Sequence, residues 1–337
     1  NLRAVSSGTF DLVNSTVIGG YNGIRIDGVT SDIEASTILG GTTVAGFAVL
    51  GSGTLNLTDS IVEDNTHASN GVGVSIGSSA SATLDGVDVR ENRVGIIADG
   101  SFTLRDSSVR DNTSSGMTYV SGMGAGETGN VINSSIIDNG GSGFVGAVSN
   151  TGTYKILGSR IQRNTLHGIS LAGTTVTGSP VRIIGNQITR NASSTTTSSW
   201  GVNISGTYAS GDNTKWPTGH RNRIVGNGNS SISSGQIRSA SEYPPSGNWA
   251  ALAHWADNDW GAQPKSNPGG HEYFGFALAP TARTSCDNAQ YYSTKTPYDP
   301  DLDGDIAYPY FSDHFPEVAE TDFYTYQFNP TGSTTDR

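Results

Sequence analysis

The chain of 337 residues has little of what usually stabilises an exported protein or anchors it in a membrane. It contains one cysteine, Cys286, so no intrachain disulfide is possible. A free reactive thiol, an intermolecular bridge and an inert buried cysteine all remain open for this residue. No apolar run is long enough for a transmembrane helix, and no signal-peptide pattern is present. We therefore expect no membrane insertion.

Apolar and basic residues are also scarce. Only 34% of the residues are hydrophobic, and the formal net charge is −11. An acidic chain of this kind is a poor partner for nucleic acid and for anionic membrane surfaces. Bound cations are able to bridge it to acidic glycans. Because the apolar residues recur with strand periodicity, the composition predicts a thin ordered core and not disorder, and together with the fold it predicts an extracellular or cell-surface location.

A nine-residue pattern, apolar-x-x-Ser-x-apolar-x-x-Asn, recurs over two thirds of the chain in copies that mostly start 20 to 27 residues apart. Its last position is held by Gly20, Gly41, Asn65, Asn92, Asn112, Asn139, Asn164, Asn191 and Asn227. Three residues earlier stand Val17, Ile38, Val62, Val89, Val109, Ile136, Ile161, Ile188 and Ile224. Eight residues earlier stand Leu12, Ile33, Leu57, Leu84, Leu104, Val131, Ile156 and Ile183, with Gly219 as the exception in the ninth copy. A Gly-apolar pair follows most copies, as in Gly46-Phe47 and Gly143-Phe144.

A repeat of this length, built from short β-branched strands, is typical of a parallel β-solenoid. In such a coil each inward residue stacks on its equivalents about 4.8 Å above and below, so we expect columns of Val, Ile and Leu. At the corner, Asn and Gly are both expected to adopt a left-handed backbone. The Asn amides either form a hydrogen-bonded ladder between coils or are surface turn residues. Both interpretations give the same fold.

The repeat, over roughly residues 10 to 238, resembles the right-handed parallel β-helix repeat proteins, whose architecture pectate lyases share. The resemblance implies an all-β, single-stranded right-handed β-helix of about nine coils. The family includes polysaccharide lyases, epimerases, phage tailspikes and bacterial surface proteins. Because a fold alone does not fix an activity, and because no stretch matches a catalytic motif of the lyases or epimerases, we assign no catalytic residue.

Residues 239–337 differ in composition from the solenoid of residues 1–238 and are expected to form a separate capping or interaction region. Residues 241–337 carry 18 of the 28 aromatic residues. This region is able to cover the last coil, whereas residues 1–10 run almost directly into the first coil, which we expect to be open. An open end and a covered end predict a head-to-tail homo-oligomer or polymer. The alternating segment 322–328 either joins a neighbouring subunit or folds back on its own solenoid.

The strongest metal-like motif is a run of carboxylates at every second position, followed by a glycine for a tight turn. The predicted ligands are Asp299, Asp301, Asp303 and Asp305. This spacing resembles the first half of an EF-hand-type calcium loop and predicts a structural calcium ion. The twelfth position is Tyr310 instead of Glu, so Asp313 or Glu317 would have to complete the site. The alternative is an acidic surface turn.

Charged residues stand immediately before the corner position, and we expect them to stack on one solvent face. They are Asp64, Glu91, Asp111, Asp138, Arg163 and Arg190, with Glu63, Arg90 and Arg110 alongside. We interpret them as a mixed-charge surface of alternating sign, against the alternative of polysaccharide subsites. Seven N-glycosylation sequons also occur, of which Asn229 is the best candidate for a glycan, since Asn112 and Asn191 are ladder positions.

Two functions remain. The first is an extracellular structural β-solenoid, a subunit of a surface fibre or filament assembled by head-to-tail contacts. The second is a calcium-assisted polysaccharide lyase or epimerase, or a glycan-binding module with a long lateral groove. A trimer like the phage tailspikes is a weaker third possibility.

Overall fold

The computed structural model describes residues 2–5, 7–19, 22–40, 45–69, 71–119, 128–148, 153–176, 181–194, 199–208, 218–220, 222–225, 227, 235–239 and 276–278. Within these ranges the regular structure consists of β-strands, and every pairing between strands is parallel. The strands form three sheets that run the length of the molecule. The predicted calcium ligands, Cys286, Asn229 and the segment 322–328 lie outside these ranges.

Sheet 1 has eleven strands in the described chain. They are β1 (Leu2–Val5), β4 (Asn22–Asp27), β7 (Ala45–Leu50), β10 (Val72–Ile76), β13 (Val94–Ala98), β16 (Met117–Tyr119), β19 (Phe144–Val148), β22 (Ile169–Val176), β25 (Trp200–Tyr208), β28 (Gly235–Ser239) and β29 (Phe276–Leu278).

Sheets 2 and 3 have nine strands each in the described chain. Sheet 2 contains β2 (Thr9–Val13), β5 (Thr30–Glu34), β8 (Thr54–Thr58), β11 (Ser81–Asp85), β14 (Ser101–Arg105), β17 (Thr128–Ile132), β20 (Thr153–Leu157), β23 (Arg182–Ile184) and β26 (Thr218–His220). Sheet 3 contains β3 (Thr16–Ile18), β6 (Thr37–Leu39), β9 (Ile61–Glu63), β12 (Asp88–Arg90), β15 (Ser108–Arg110), β18 (Ser135–Ile137), β21 (Arg160–Gln162), β24 (Gln187–Thr189) and β27 (Arg223–Val225).

Each coil gives one strand to each sheet, and the register confirms the predicted stacking. Leu57 pairs with Leu84 in sheet 2, and Val62 pairs with Val89 in sheet 3. The same register continues through both columns, ending in Ile183 opposite Gly219 and Ile188 opposite Ile224. The predicted parallel β-helix, with one copy of the repeat per coil, is therefore confirmed.

The core is a narrow stack of these inward columns. Each of four sheet 3 strands contributes one side chain to the core that has no exposed surface. These residues are Val62, Val89, Ile136 and Ile161. Three-residue strands of sheet 3 such as β9, β12 and β18 place the middle side chain inward and the two outer side chains toward solvent. A core of this shape needs few apolar residues per coil, which explains the low hydrophobic content.

The corner asparagines form the predicted ladder. In most steps the side-chain Nδ2 of one Asn donates to Oδ1 of the next, and that Oδ1 also accepts from the backbone N–H of the first. The Nδ2–Oδ1 distances are 2.8 Å for Asn65–Asn92, 2.9 Å for Asn112–Asn139, Asn139–Asn164 and Asn164–Asn191, and 3.0 Å for Asn191–Asn227. All these side chains are buried, so the alternative of surface turn residues is wrong.

The left-handed backbone, however, belongs to the residue before the ladder position. The positive φ values are found at Gly19, Gly40, Asp64, Glu91, Asp111, Asp138, Arg163 and Arg190. The described ladder asparagines are not in this conformation, so our reason for Asn at the corner was wrong. A left-handed residue reverses the chain direction, and the next residue then turns its amide inward to meet the adjacent coil.

A second ladder lies at the corner between sheets 2 and 3, where the repeat has Ser. The hydroxyl of Ser134 accepts from the backbone N–H of Ser107 at 3.2 Å, and Ser159 accepts from Ser134 at 3.1 Å. Two asparagines, Asn186 and Asn222, continue this column, and their Nδ2–Oδ1 distance is 3.0 Å. Left-handed residues again precede the ladder positions. Sequence analysis identified the Ser but not its role.

Glycine at the start of the sheet 1 motif is required by close packing. A Cβ at Gly116 would lie 2.7 Å from the Asn139 amide nitrogen, 2.8 Å from a methyl of Ile136 and 2.9 Å from the carbonyl oxygen of Gly143. The other described glycines of this column, such as Gly95, have the same surroundings. The column therefore lets sheet 1 approach the ladder closely.

The first coil is the outer edge of all three sheets in the described chain, because β1, β2 and β3 each have a neighbour on one side only. At the other end, sheet 1 continues beyond the repeat. Phe276 of β29 pairs with Ile237 of β28. Ser239 and Phe276–Leu278 are the described residues of the predicted C-terminal region.

We predict that Asn139→Ala lowers the free energy of unfolding by about 2–4 kcal/mol, because it removes buried hydrogen bonds on both sides and leaves the Asn112 N–H without its acceptor. Urea unfolding followed by circular dichroism measures this. The matched control is Asn130→Ala, on the half-exposed outer face of β17 in the same coil, with an expected loss below about 0.5 kcal/mol. Equal losses would contradict the role of the ladder.

Candidate functional site

The exposed residues at the left-handed corner form a continuous column, which we call the corner strip. It consists of Asp64, Glu91, Asp111, Asp138, Arg163 and Arg190. Each member directly precedes a buried ladder asparagine, so the ladder fixes the backbone from which its side chain projects. The prediction that these charges stack on one solvent face is confirmed.

The middle coils hold a connected ion-pair network beside the strip. Arg90 donates to Glu63 at 2.6 Å and to Asp88 at 2.9 Å, and Arg110 donates to both carboxylate oxygens of Asp88 at 2.8 and 3.1 Å and to Asp111 at 2.7 Å. The hydrogen bond with Asp88 raises the pKa of Arg110, and that with Glu63 raises the pKa of Arg90. These guanidinium groups stay charged, so the network persists wherever its carboxylates are ionised.

One ion pair lies within the strip itself. Arg163 donates to the two carboxylate oxygens of Asp138 at 2.8 and 2.6 Å. This two-point contact raises the pKa of Arg163 and joins two adjacent coils. Both side chains remain partly exposed, so the pair contributes about 1 kcal/mol or less to folding.

We had expected charges of alternating sign along the corner strip, and this expectation was wrong. Four acidic residues are followed by two basic ones, with a single change of sign between Asp138 and Arg163. Asp64, Glu91 and Arg190 make no ion pair with any other described residue. The unpaired charges therefore lie toward opposite ends of the strip.

The outer face of sheet 2 shows the same change. Asp11 and Asp32 are stacked in the early coils, whereas Lys155 and Arg182 occupy the same column later. The Asn56 amide donates to Asp32 at 2.7 Å. Two faces thus change from acidic to basic along the axis.

These local changes reflect a segregation of charge over the whole repeat. Residues 1–138 contain 15 acidic residues (Asp and Glu) and six basic residues (Lys and Arg). Residues 139–239 contain one acidic residue and nine basic residues. Net charge conceals this pattern, and sequence analysis missed it. Assigning each charge to its coil would have revealed it.

Other predicted sites have different outcomes. Asn112 and Asn191 are 1% exposed and cannot accept a glycan, as expected. Asn14 and Asn133 are exposed sequon residues.

No group of three or more His, Cys, Asp or Glu in the described ranges is arranged to hold a metal ion. The search for membrane spans, restricted to the same residues, finds no helix long and apolar enough to cross a bilayer.

Residues 2–159 match the family model described as a right-handed β-helix region. No curated protein matches this chain in sequence. The description of the family gives the same hand as the resemblance had implied.

This chain is similar to several solved structures. A crystal structure of pectate lyase Pel9A is 14% identical, with a TM-score of 0.42, over 68% of this chain and 58% of that one. The A-module of the Azotobacter vinelandii mannuronan C-5 epimerase AlgE6 is 19% identical, with a TM-score of 0.45, over 70% of each chain. The A-module of the Azotobacter vinelandii mannuronan C-5 epimerase AlgE4 is 16% identical, with a TM-score of 0.34, over 68% of this chain and 55% of that one. This chain thus spans less than two thirds of the pectate lyase, and these likenesses assign it no activity.

The acidic segment with Asp299, Asp301, Asp303 and Asp305 lies outside the described residues and stays a predicted calcium site. We expect Ca²⁺ to raise the thermal midpoint of the full chain, because a cation relieves the repulsion among these carboxylates. Calorimetric titration and thermal unfolding with Asp301→Asn and Asp303→Asn combined should show neither binding nor the rise. The control is Asp11→Asn with Asp32→Asn, which removes two stacked carboxylates elsewhere. Unchanged binding in the loop variant would place the cation at another position.

Proposed function

We propose that this chain, a right-handed parallel β-helix repeat protein, is a structural subunit of an extracellular fibre that assembles head to tail through its first coil. The observation that carries the proposal is the surface of that coil. Its three strands have free edges in the described chain, and four of its large apolar side chains, Leu2, Val5, Val13 and Ile18, are exposed.

The first coil exposes apolar side chains at inward and outward positions alike. Leu2 is inward and 37% exposed because the described chain places nothing over it. Val13 and Ile18 point outward and are 52% and 75% exposed. The outward columns of these two residues hold polar residues in several following coils, such as Glu34 and Arg90, and apolar ones again in the middle coils, such as Ile132 and Ile137. Apolar surface beside free strand edges favours the docking of another β-structure.

The segregated charge supports the head-to-tail orientation. The acidic coils lie toward the open end and the basic coils toward the opposite end. Two copies in line, with the first coil of one facing the last coils of the next, bring opposite charges together. Such a contact leaves one surface unused at each end of the assembly, and it therefore propagates as a filament unless rotation closes it.

We expect Ile18→Lys to prevent end-to-end assembly, because a charge on an edge strand blocks pairing with another chain. Analytical ultracentrifugation and negative-stain imaging of concentrated protein measure the effect. The matched control is Ile137→Lys, which changes the same outward column in a middle coil and should leave assembly intact. Wild-type protein that stays monomeric at high concentration would overturn the proposal.

A second candidate is the action of this chain on an acidic polysaccharide, as a glycan-binding module or a calcium-assisted lyase or epimerase. The favouring observation is the basic face of the later coils, where Lys155 and Arg182 are stacked on sheet 2. Guanidinium and ammonium groups at adjacent levels suit a linear polyanion lying along the axis.

Under this second candidate, Lys155→Gln with Arg182→Gln should weaken retention on immobilised alginate or polygalacturonate by about tenfold, since two charge-assisted contacts are lost. Arg3→Gln with Arg105→Gln removes two charges from the acidic coils and is the control. Absorbance of unsaturated products and product epimer composition test for lyase and epimerase activity. Fibres without binding or turnover would exclude this candidate, whereas monomers that bind or convert the glycan would favour it.

A further inference from the structure

The corner strip combines its single change of sign with an uneven use of its charges. In the middle, Asp111 is bound by Arg110, and Asp138 by Arg163. Toward the ends, Asp64, Glu91 and Arg190 have no ionic partner among the described residues. Solvated charges of opposite sign are thus held at fixed levels on a rigid scaffold.

These levels are symmetric about the middle of the strip. A two-fold axis between the levels of Asp111 and Asp138 brings Asp64 opposite Arg190 of the partner subunit. The same axis brings Glu91 opposite Arg163 of the partner subunit. It also sets Asp111 opposite Asp138 of the partner subunit, where each carboxylate keeps the arginine of its own copy, Arg110 for Asp111 and Arg163 for Asp138. Because stacked coils rise by about 4.8 Å each, the spacing of the levels is the same on both copies.

Of the two outward columns of sheet 3, beside the strip, one follows the same symmetry. It runs Asp88, Ser108, Ser135 and Arg160, in consecutive register, whereas the other sets Arg110 opposite Ile137 of the partner subunit. The axis passes between the two small serines and sets Asp88 opposite Arg160 of the partner subunit. Small side chains at the centre permit close approach, and the outward side chains of β12 and β21 then meet across the axis.

Orientation decides the sign of the interaction. With the two axes antiparallel, acidic levels face basic levels at both ends of the contact. With the axes parallel and the coils at equal height, Asp64 faces Asp64 and Arg190 faces Arg190, which is repulsive. An isologous antiparallel contact also uses each attractive pair twice.

We propose that two copies of this chain associate side by side and antiparallel through the corner strip and the outer face of sheet 3. The contact is separate from the first coil and does not depend on the proposed head-to-tail assembly. A face three residues wide and about seven strand spacings long, from β6 to β27 and roughly 10 by 34 Å, buries about 1,000 Å² in total when its flanking corners are included. That is the lower end of specific interfaces, so the pair is weak and sensitive to salt.

The decisive experiment exchanges charges at two levels of the strip. Asp64→Arg and Arg190→Glu each replace two attractions by two repulsions and should each weaken self-association by about tenfold. The double variant restores opposite charges across the axis and should recover wild-type association. Both substitutions suit the left-handed backbone, because Arg163 and Glu91 already occupy it in this chain.

Sedimentation equilibrium of the full chain at low and high salt measures the association. Arg182→Glu is the control, because it makes the same change of charge one strand away, on sheet 2, and should leave the pair intact. Ile18→Lys should also leave it intact, so failure of end-to-end assembly is distinguishable from failure of pairing. A wild-type monomer at low salt, an unrescued double variant, or an equal effect of Arg182→Glu would overturn the proposal. The proposal would also be overturned if the protein were a monomer that binds a polyanion through the corner strip. The basic end of the strip would then be assigned to that ligand.

Discussion

The structure depends on one buried hydrogen-bonding arrangement, which recurs from Asn65 to Asn227 at the corner that follows each strand of sheet 3. A left-handed residue turns the chain, and the following asparagine donates its amide to the next coil while accepting from the previous one. Because an unsatisfied buried amide is costly, each coil is held in register with both neighbours. The aliphatic columns and the close glycine column both require this register. The ladder therefore determines where every side chain of the repeat lies.

A solenoid converts the order of residues in the sequence into an order along one axis. A difference in charge between the first and second halves of the repeat therefore becomes a difference between the two ends of the molecule. In a compact domain the same charges would be mixed over the surface. Here they remain separated, and the open first coil adds an apolar edge at the acidic end. Both proposed self-contacts follow from this linear arrangement, one through the end and the other through the side.

The predicted columns were confirmed because stacking requires like residues at fixed positions, and a pattern of that kind is visible in one sequence. The role of Asn was harder to predict. Asn is common in left-handed turns, so Asn139 was assigned to the bend, whereas the bend lies at Asp138. The Ser ladder was missed because a hydroxyl at a corner is also common for other reasons. The charge segregation was missed because the sequence analysis considered the signs within one column and the net charge of the whole chain. It did not compare the charges of the early coils with those of the late coils.

By itself, the sequence determined the repeated coil and its inward columns and indicated the pairing of the corner amides, since these depend on residue type at a constant repeat position. Only the tertiary structure decided which residue bends at each corner, which charges are neutralised by a neighbouring coil, and which are left facing solvent. The distance between Arg163 and Asp138, for example, is set by coils 25 residues apart in sequence. Such contacts depend on the register and direction of side chains in three dimensions, and the periodicity of a sequence does not specify either.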